Sequence, residues 1–173
     1  MKKEHSIIAI FVVSLVLSTT VSAQATASAT STSTIVSPIS IAQTQDMNFG
    51  NVSASSNPGT VVLTPGGSRT STDGVSLPSA TGTVTAAKFT VNGETGYSYS
   101  IGLPTTSLTL TNGGGSNAES MTVTAFTSTP TTAGTLIDGT ENISVGATLN
   151  VSASQAGGVY ENEDGFDVSV NYN

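Results

Sequence analysis

Phe166-Asp167-Val168-Ser169-Val170-Asn171-Tyr172-Asn173 is the stretch that decides the fold, because apolar and polar side chains alternate strictly along it. Successive residues of a β-strand point to opposite faces, so the apolar residues share one face and the polar residues share the other. This pattern is typical of a half-buried strand in an antiparallel sheet. The sequence therefore predicts a closing strand over residues 166–173.

The chain before this stretch has the turn signals of an all-β protein. Asn-Gly or Asp-Gly pairs begin at positions 73, 92, 112, 138 and 164, and such pairs tolerate the positive φ of tight turns. No window carries helical periodicity over three turns. The other predicted strands are 47–52, 60–63, 75–77, 88–91, 97–103, 108–110, 121–126, 141–145 and 148–153. Many short strands with frequent turns predict a sandwich or a barrel, and we favour a β-sandwich.

The first 23 residues predict an export signal that is cleaved. Lys2 and Lys3 precede an apolar run over residues 7–17, and Val21-Ser22-Ala23 supplies the small residues of a cleavage site. Removing them leaves 173 − 23 = 150 residues: an Ala/Thr/Ser-rich tract over 24–33, predicted to be flexible, and one domain over 34–173. No later run is long enough to span a membrane. We expect an exported protein of the periplasm, cell surface or extracellular space.

The charge and the missing residue types exclude several function classes. After cleavage the chain has two basic residues, Arg69 and Lys88, and ten acidic residues, so its net charge is 2 − 10 = −8. Nucleic-acid binding depends on cations that neutralise phosphates, so that partner is excluded. No histidine, cysteine or tryptophan remains after residue 23, which removes the usual bases, thiol nucleophiles and sugar-stacking indoles. We predict no catalytic residues, no cofactor and no enzymatic activity.

The first predicted strand, residues 34–44, has two possible partners. Ile35, Ile39 and Ile41 fall on one face, and Pro38 restricts the segment to an edge because proline lacks a ladder donor. The segment either pairs within its own chain or is donated to a groove on a neighbouring copy. Sequential strands usually pair locally, whereas a donated strand covers an exposed apolar groove and unpaired backbone groups.

Four carboxylates lie within the seven residues 161–167, which overlap the start of the closing strand, and they are the one candidate metal site. Calcium takes six to eight oxygen ligands, but the spacing does not match an EF-hand. The alternative is a solvated hairpin tip. The residues concerned are Glu161, Glu163, Asp164 and Asp167.

Several segments resemble an exported bacterial family, the domain-of-unknown-function family 4402. They are residues 35–41, 46–50, 145–151, 158–160 and 168–173. More distantly, the chain is similar to the pilin subunits that periplasmic chaperones and an outer-membrane usher assemble into fimbriae. This resemblance implies an immunoglobulin-like sandwich that lacks a strand, with an upstream glycine and a penultimate aromatic beside the resulting groove. The corresponding groove-edge residues here are Gly158, Phe166, Val168, Val170 and Tyr172.

These observations predict a structural or adhesive subunit of the fimbrial type at the cell surface. In this prediction Ile35, Ile39 and Ile41 are donated to a neighbour, and the partners are other copies, other surface subunits and a periplasmic chaperone. The alternative is a monomeric secreted binding module, glycan-binding among other possibilities. Its ligand contacts are expected in the turn over residues 111–117 and at the tip over residues 161–165.

Overall fold

The computed structural model describes residues 23–113 and 119–173. The chain divides into two units, Met1–Ile35 and Val36–Asn173. Residues 23–35 contain neither helix nor strand, and the predicted signal peptide, apart from Ala23, lies outside the described residues. The second unit contains β1 (Ser40–Gln45), β2 (Ser53–Leu63), β3 (Arg69–Ser76), β4 (Ala87–Asn92), β5 (Ser98–Gly102), β6 (Leu108–Thr111), β7 (Ser120–Thr129), β8 (Ala133–Thr135), β9 (Thr140–Val151) and β10 (Ser169–Tyr172).

The all-β prediction is confirmed for the described residues, whose one helical element is a 3₁₀ turn, Ile137–Gly139. All strand pairs are antiparallel. The predicted strand over 47–52 is wrong: there Asn48 forms an isolated bridge to Thr85. The reason is local, because Gly50 has a φ of 67° and turns the chain away from an extended path.

Seven strands form the larger sheet, and β9 is its organising strand. The hydrogen-bonded order is β1-β4-β9-β2-β3, with β7 also paired to β9 and β6 paired to β7. β9 pairs with β4 through residues 140–145 and with β2 through residues 147–151. Both partners lie along the same edge of β9, since β7 pairs along its other edge. The two strands predicted over 141–145 and 148–153 are therefore one strand.

Gly146 stands where β9 changes partner. A Cβ at this position would lie 2.2 Å from the carbonyl oxygen of Leu63 and 2.6 Å from the carbonyl carbon of Thr64. Real Cβ atoms do not approach backbone so closely, so glycine lets the end of β2 pass against β9.

The smaller sheet has three strands in the order β10-β5-β8. Together with β1, β4 and β9 it encloses one of two hydrophobic cores, here named the two-sheet core. Its fully packed members are Ala87, Phe89, Val91, Tyr99, Leu136, Ile143 and Val145. Branched and aromatic side chains at alternate positions of β4 and β9 point inward, which is why these segments form strands.

The second core lies against the other half of the larger sheet. No strand of the smaller sheet contributes to it; residues from the segments over 47–52 and 77–84 pack on it instead. We name it the loop-covered core. Its buried members are Phe49, Val61, Leu63, Val75, Val123, Ala147, Leu149 and Val151.

The described residues contain no helix of sufficient length and apolar character to cross a bilayer.

Candidate functional site

β1 is an edge strand, paired within its own chain. Among the described residues its one ladder partner is β4, with Ile41 opposite Val91 and Ala42 opposite Thr90. The ladder begins at Ser40, six residues later than predicted. Pro38 explains part of this difference, because it has no backbone N–H to donate.

The apolar face of β1 completes the two-sheet core. Ile39 and Ile41 are partly buried against it, and so are Phe166, Val168, Val170 and Tyr172 of the closing segment. The structure thus brings two of the three donor-strand candidates and four of the five groove-edge candidates to one apolar cluster.

Two predicted residues are not members of this cluster. Ile35, in the first unit, is 96% exposed. Gly158 belongs to the loop between β9 and β10, and a Cβ there would meet Asn112 at 3.2–3.7 Å. The predicted closing strand is also shorter than expected, since its ladder with β5 begins at Ser169.

Three hydrogen bonds fix the chain just before β1, at a place we name the β1 junction (Ser37, Glu94 and Tyr172). The backbone N–H of Ser37 donates to Glu94 Oε2 at 2.8 Å. The Tyr172 hydroxyl donates to the Ser37 carbonyl at 2.8 Å and accepts from the Glu94 backbone N–H at 2.6 Å. The segment preceding β1, the β4–β5 loop and the closing strand therefore meet in one closed ring.

Gly93 makes room for the junction. A Cβ on Gly93 would lie 2.2 Å from the Tyr172 hydroxyl oxygen. Any larger residue would therefore displace the Tyr172 side chain from its hydrogen-bond partners, Ser37 and Glu94. The Tyr172 ring also packs edge-on against Tyr97, with centroids 5.5 Å apart.

The junction favours the charged form of Glu94. The hydrogen bond donated by the Ser37 backbone holds the pKa of Glu94 below its usual value of 4.5, because a donor stabilises the carboxylate more than the neutral acid.

The four carboxylates predicted as a calcium site lie in the loop between β9 and β10. Among residues 23–113 and 119–173, no three acidic side chains lie close enough to hold one ion. The backbone of Glu161 forms two hydrogen bonds with the backbone of Thr111, at 2.9 and 3.1 Å.

Sequence reasoning missed two structural acids. Glu94 was assigned no role, although its position directly after the Asn92-Gly93 turn places it beside a strand end. Glu141 accepts from the Tyr99 hydroxyl at 2.9 Å and from the Thr135 backbone N–H at 3.0 Å. Burial, together with this carboxylate, raises the pKa of Tyr99.

The fold and the β1 junction define an all-β, antiparallel domain whose first strand closes the core beside its last strand. Residues 39–172 match the family described as domain of unknown function DUF4402, and the chain belongs to that family. Neither a curated protein nor a solved structure matches the chain.

Proposed function

We propose that the protein is an exported structural or adhesive subunit of the fimbrial type, with an immunoglobulin-like sandwich, which assembles at the cell surface by exchanging β1 between copies. The observation that carries this proposal is the position of β1. It is the first strand of the domain, it lies at a sheet edge, and its isoleucines complete a core shared with the closing strand.

Leaving the position of β1 empty would cost free energy. Without β1, the edge of β4 would expose its backbone donors and acceptors, and Val91, now fully buried, would border an open apolar gap. Burying one isoleucine side chain stabilises a protein by about 1.5–3 kcal/mol. An unfilled copy would therefore bind any strand with the same pattern.

A second copy of the chain supplies a strand with this pattern, and its β1 would make the same contacts that β1 makes within its own chain. In an exchanged pair, β1 of one copy makes the ladder, the isoleucine contacts and the Ser37 hydrogen bonds on its neighbour, as in domain swapping. The segment that must extend is short, because β1 ends at Gln45 and the chain is fixed again at Asn48 through its bridge to Thr85. Short hinges favour exchange over closure.

The test uses the absence of cysteine from the chain. Ala42 and Thr90 are cross-strand partners on the outward face, and antiparallel partners lie about 4.5–5.5 Å apart at Cα, within disulfide range. We would express A42C/T90C, shear the protein from the cell surface, boil it without reductant and separate it by gel electrophoresis. Exchanged strands give a covalent ladder that reductant collapses to one band.

The single variant A42C is the matched control and should give at most a disulfide-linked dimer. A boiled double variant that runs wholly as a monomer would overturn strand exchange. That result would support the alternative, a monomeric secreted binding module, which is favoured by one observation: β1 already closes the core of its own chain. Wild-type material sheared from cells should independently give a ladder that boiling removes.

A further inference from the structure

A cleft of about 940 Å³ opens beside the loop-covered core. Sites for small molecules usually measure about 300–1,000 Å³ and combine apolar walls with a few polar groups. Strands β6, β7 and β9 form the floor of this cleft, and the loops over 46–52 and 155–166 form its walls. The apolar residues that line it include Phe49, Ala54, Leu108, Leu110, Met121 and Leu149.

One polar atom in the lining lacks a partner. Asn162 Nδ2 donates to the Thr109 carbonyl at 3.0 Å, but Asn162 Oδ1 is buried and accepts no hydrogen bond within the described residues. A buried acceptor left unsatisfied costs about 1–3 kcal/mol. Because this atom has almost no accessible surface, a ligand N–H or O–H group would reach it and remove that cost only after the Asn162 side chain turns toward the cleft.

The charges of the lining select against anions. Asp46 and Glu161 line the cleft, and within residues 23–113 and 119–173 no lysine, arginine or histidine does. A carboxylate or sulfonate would enter without a cation to pair with it, which is unfavourable at a partly buried site. An uncharged molecule meets no such opposition.

Arg69 holds one wall of the cleft in place. Its guanidinium donates to the carbonyls of Phe49, of Asn51 at 2.8 Å and of Thr81 at 3.2 Å. The loop that carries Phe49 is thus fixed to β3, and a fixed wall lowers the cost of ordering the site on binding.

Tyr160 holds the opposite wall. Its hydroxyl donates to the Ala156 carbonyl at 2.8 Å and accepts from Gln155 Nε2 at 3.0 Å and from Asn112 Nδ2 at 3.2 Å. The loop after β9 is thereby joined to the end of β6.

We propose that this cleft binds an uncharged apolar small molecule carrying one hydrogen-bond donor, which Asn162 Oδ1 accepts once its side chain turns toward the cleft. Neither Ile39 nor Ile41 lines the cleft, but Asp46 and Met47, which belong to the segment that extends on strand exchange, do. The protein would then carry a small apolar ligand as well as assembling with its own copies.

Two dyes with the same aromatic body test the proposal. N-phenyl-1-naphthylamine is uncharged and has one N–H donor, whereas 8-anilino-1-naphthalenesulfonate adds an anionic sulfonate. We expect the first to gain fluorescence on the purified wild-type protein, and decan-1-ol to displace it. The sulfonate should bind at least about tenfold more weakly, a difference of about 1.4 kcal/mol. No fluorescence gain with the neutral dye, or equal binding of both dyes, would overturn the proposal.

Two variants of the same strand locate the binding. Ala54 lines the cleft, whereas Val62 lies outside it and is 37% exposed. A54W fills the cleft and should reduce the affinity for the neutral dye at least about tenfold; V62W adds the same side chain elsewhere and should leave it unchanged. Far-UV circular dichroism checks that both fold. Unchanged binding by a folded A54W would place the dye elsewhere and overturn the assignment.

Asn162 is tested by a double comparison. N-methylation of the dye removes its donor, so wild type should bind the N–H dye about 2–10-fold more tightly than the methylated one, as expected for one hydrogen bond of about 0.5–1.5 kcal/mol. In N162L the two dyes should bind equally. A preference that survives in N162L would show that Asn162 is not the acceptor.

Discussion

Arg69 is one of two basic residues after position 23, and the three hydrogen bonds it donates all go to backbone carbonyls. They join β3 to the loop of Phe49 and to the segment of Thr81. A hydrogen bond that involves a charged group contributes about 1.5–3 kcal/mol to the stability of the folded state. One side chain therefore organises two connections that have little secondary structure of their own.

Replacing Arg69 should be costly for this reason. We expect R69Q to lower the free energy of unfolding by about 2–3 kcal/mol, measured by urea denaturation. K88Q removes the same charge from an exposed position and should change stability by less than about 0.5 kcal/mol. Equal losses in the two variants would mean that net charge, not the carbonyl contacts, is responsible.

Glu94 makes the β1 junction sensitive to acid. Its pKa in the folded chain is lower than the usual 4.5, so it binds protons more weakly when folded than when unfolded. The stability it contributes is present above pH 4.5 and is lost as the pH falls through the folded value.

We therefore expect protection of the Ser37 amide to decrease below pH 4.5. Hydrogen exchange, corrected for the intrinsic rate at each pH, measures this protection. E94Q keeps an acceptor but does not titrate there, so its protection should be lower at neutral pH and should change less between pH 3 and pH 6. A wild-type acid response retained in E94Q would assign it to another group.

At the scale of elements, β9 connects the two halves of the larger sheet, and Gly146 marks the change of partner. G146A would place a methyl group against the backbone of β2. We expect it to lower the free energy of unfolding by about 1–3 kcal/mol, the usual cost of overpacking, as measured by thermal or urea denaturation.

Gly157 provides the matched control for G146A, because nothing lies within 4 Å of a Cβ built there. G157A should remain within about 0.5 kcal/mol of wild type. If G146A were equally harmless, the close approach of β2 and β9 would have no energetic consequence.

The elements were predictable where side-chain alternation or turn chemistry decided them. β4, β5, β6 and the core of β7 follow from alternation, and the Asp138-Gly139 pair indeed has positive φ at both residues. The continuity of β9 was not predictable, because Gly146 reads as a break when its tertiary role is unknown. The loop over 47–52 was mistaken for a strand because Met47, Phe49 and Val52 make it a short run rich in apolar and aromatic residues, although tertiary contacts and the turn at Gly50 fix its path.

At the scale of the whole molecule, the two cores are joined through shared side chains. Met47 and Phe126 pack against both, and the Phe126 ring lies 5.0 Å from that of Phe166. Since β9 also passes through both cores, we expect them to unfold together.

Phe126 should carry a large share of this coupling. F126A should lower the free energy of unfolding by about 3 kcal/mol, the lower end of the range for deleting a packed phenylalanine. I137A, at a side chain that is 73% exposed, should cost less than about 0.5 kcal/mol. Urea denaturation followed by tyrosine fluorescence measures both, and a loss in F126A no larger than in I137A would contradict the coupling.

The candidate sites were predictable in part. Ile39, Ile41 and the closing segment could be identified because alternation marks the face that meets a core. The β1 junction could not, since Ser37 and Tyr172 are 135 residues apart and no local pattern links them. Asn162 was hidden for a similar reason: its unsatisfied oxygen depends on the path of a loop that has no secondary structure.

The β1 junction also governs how the domain responds to a mechanical load. The chain approaches its first strand at Ser37 and reaches its last strand position at Tyr172, and these two points are in direct contact. A pull applied between them acts across the strands at one end and breaks contacts in sequence, as in opening a zipper. A pull along an exchanged β1 between two copies instead loads the whole ladder in shear, so its bonds resist together.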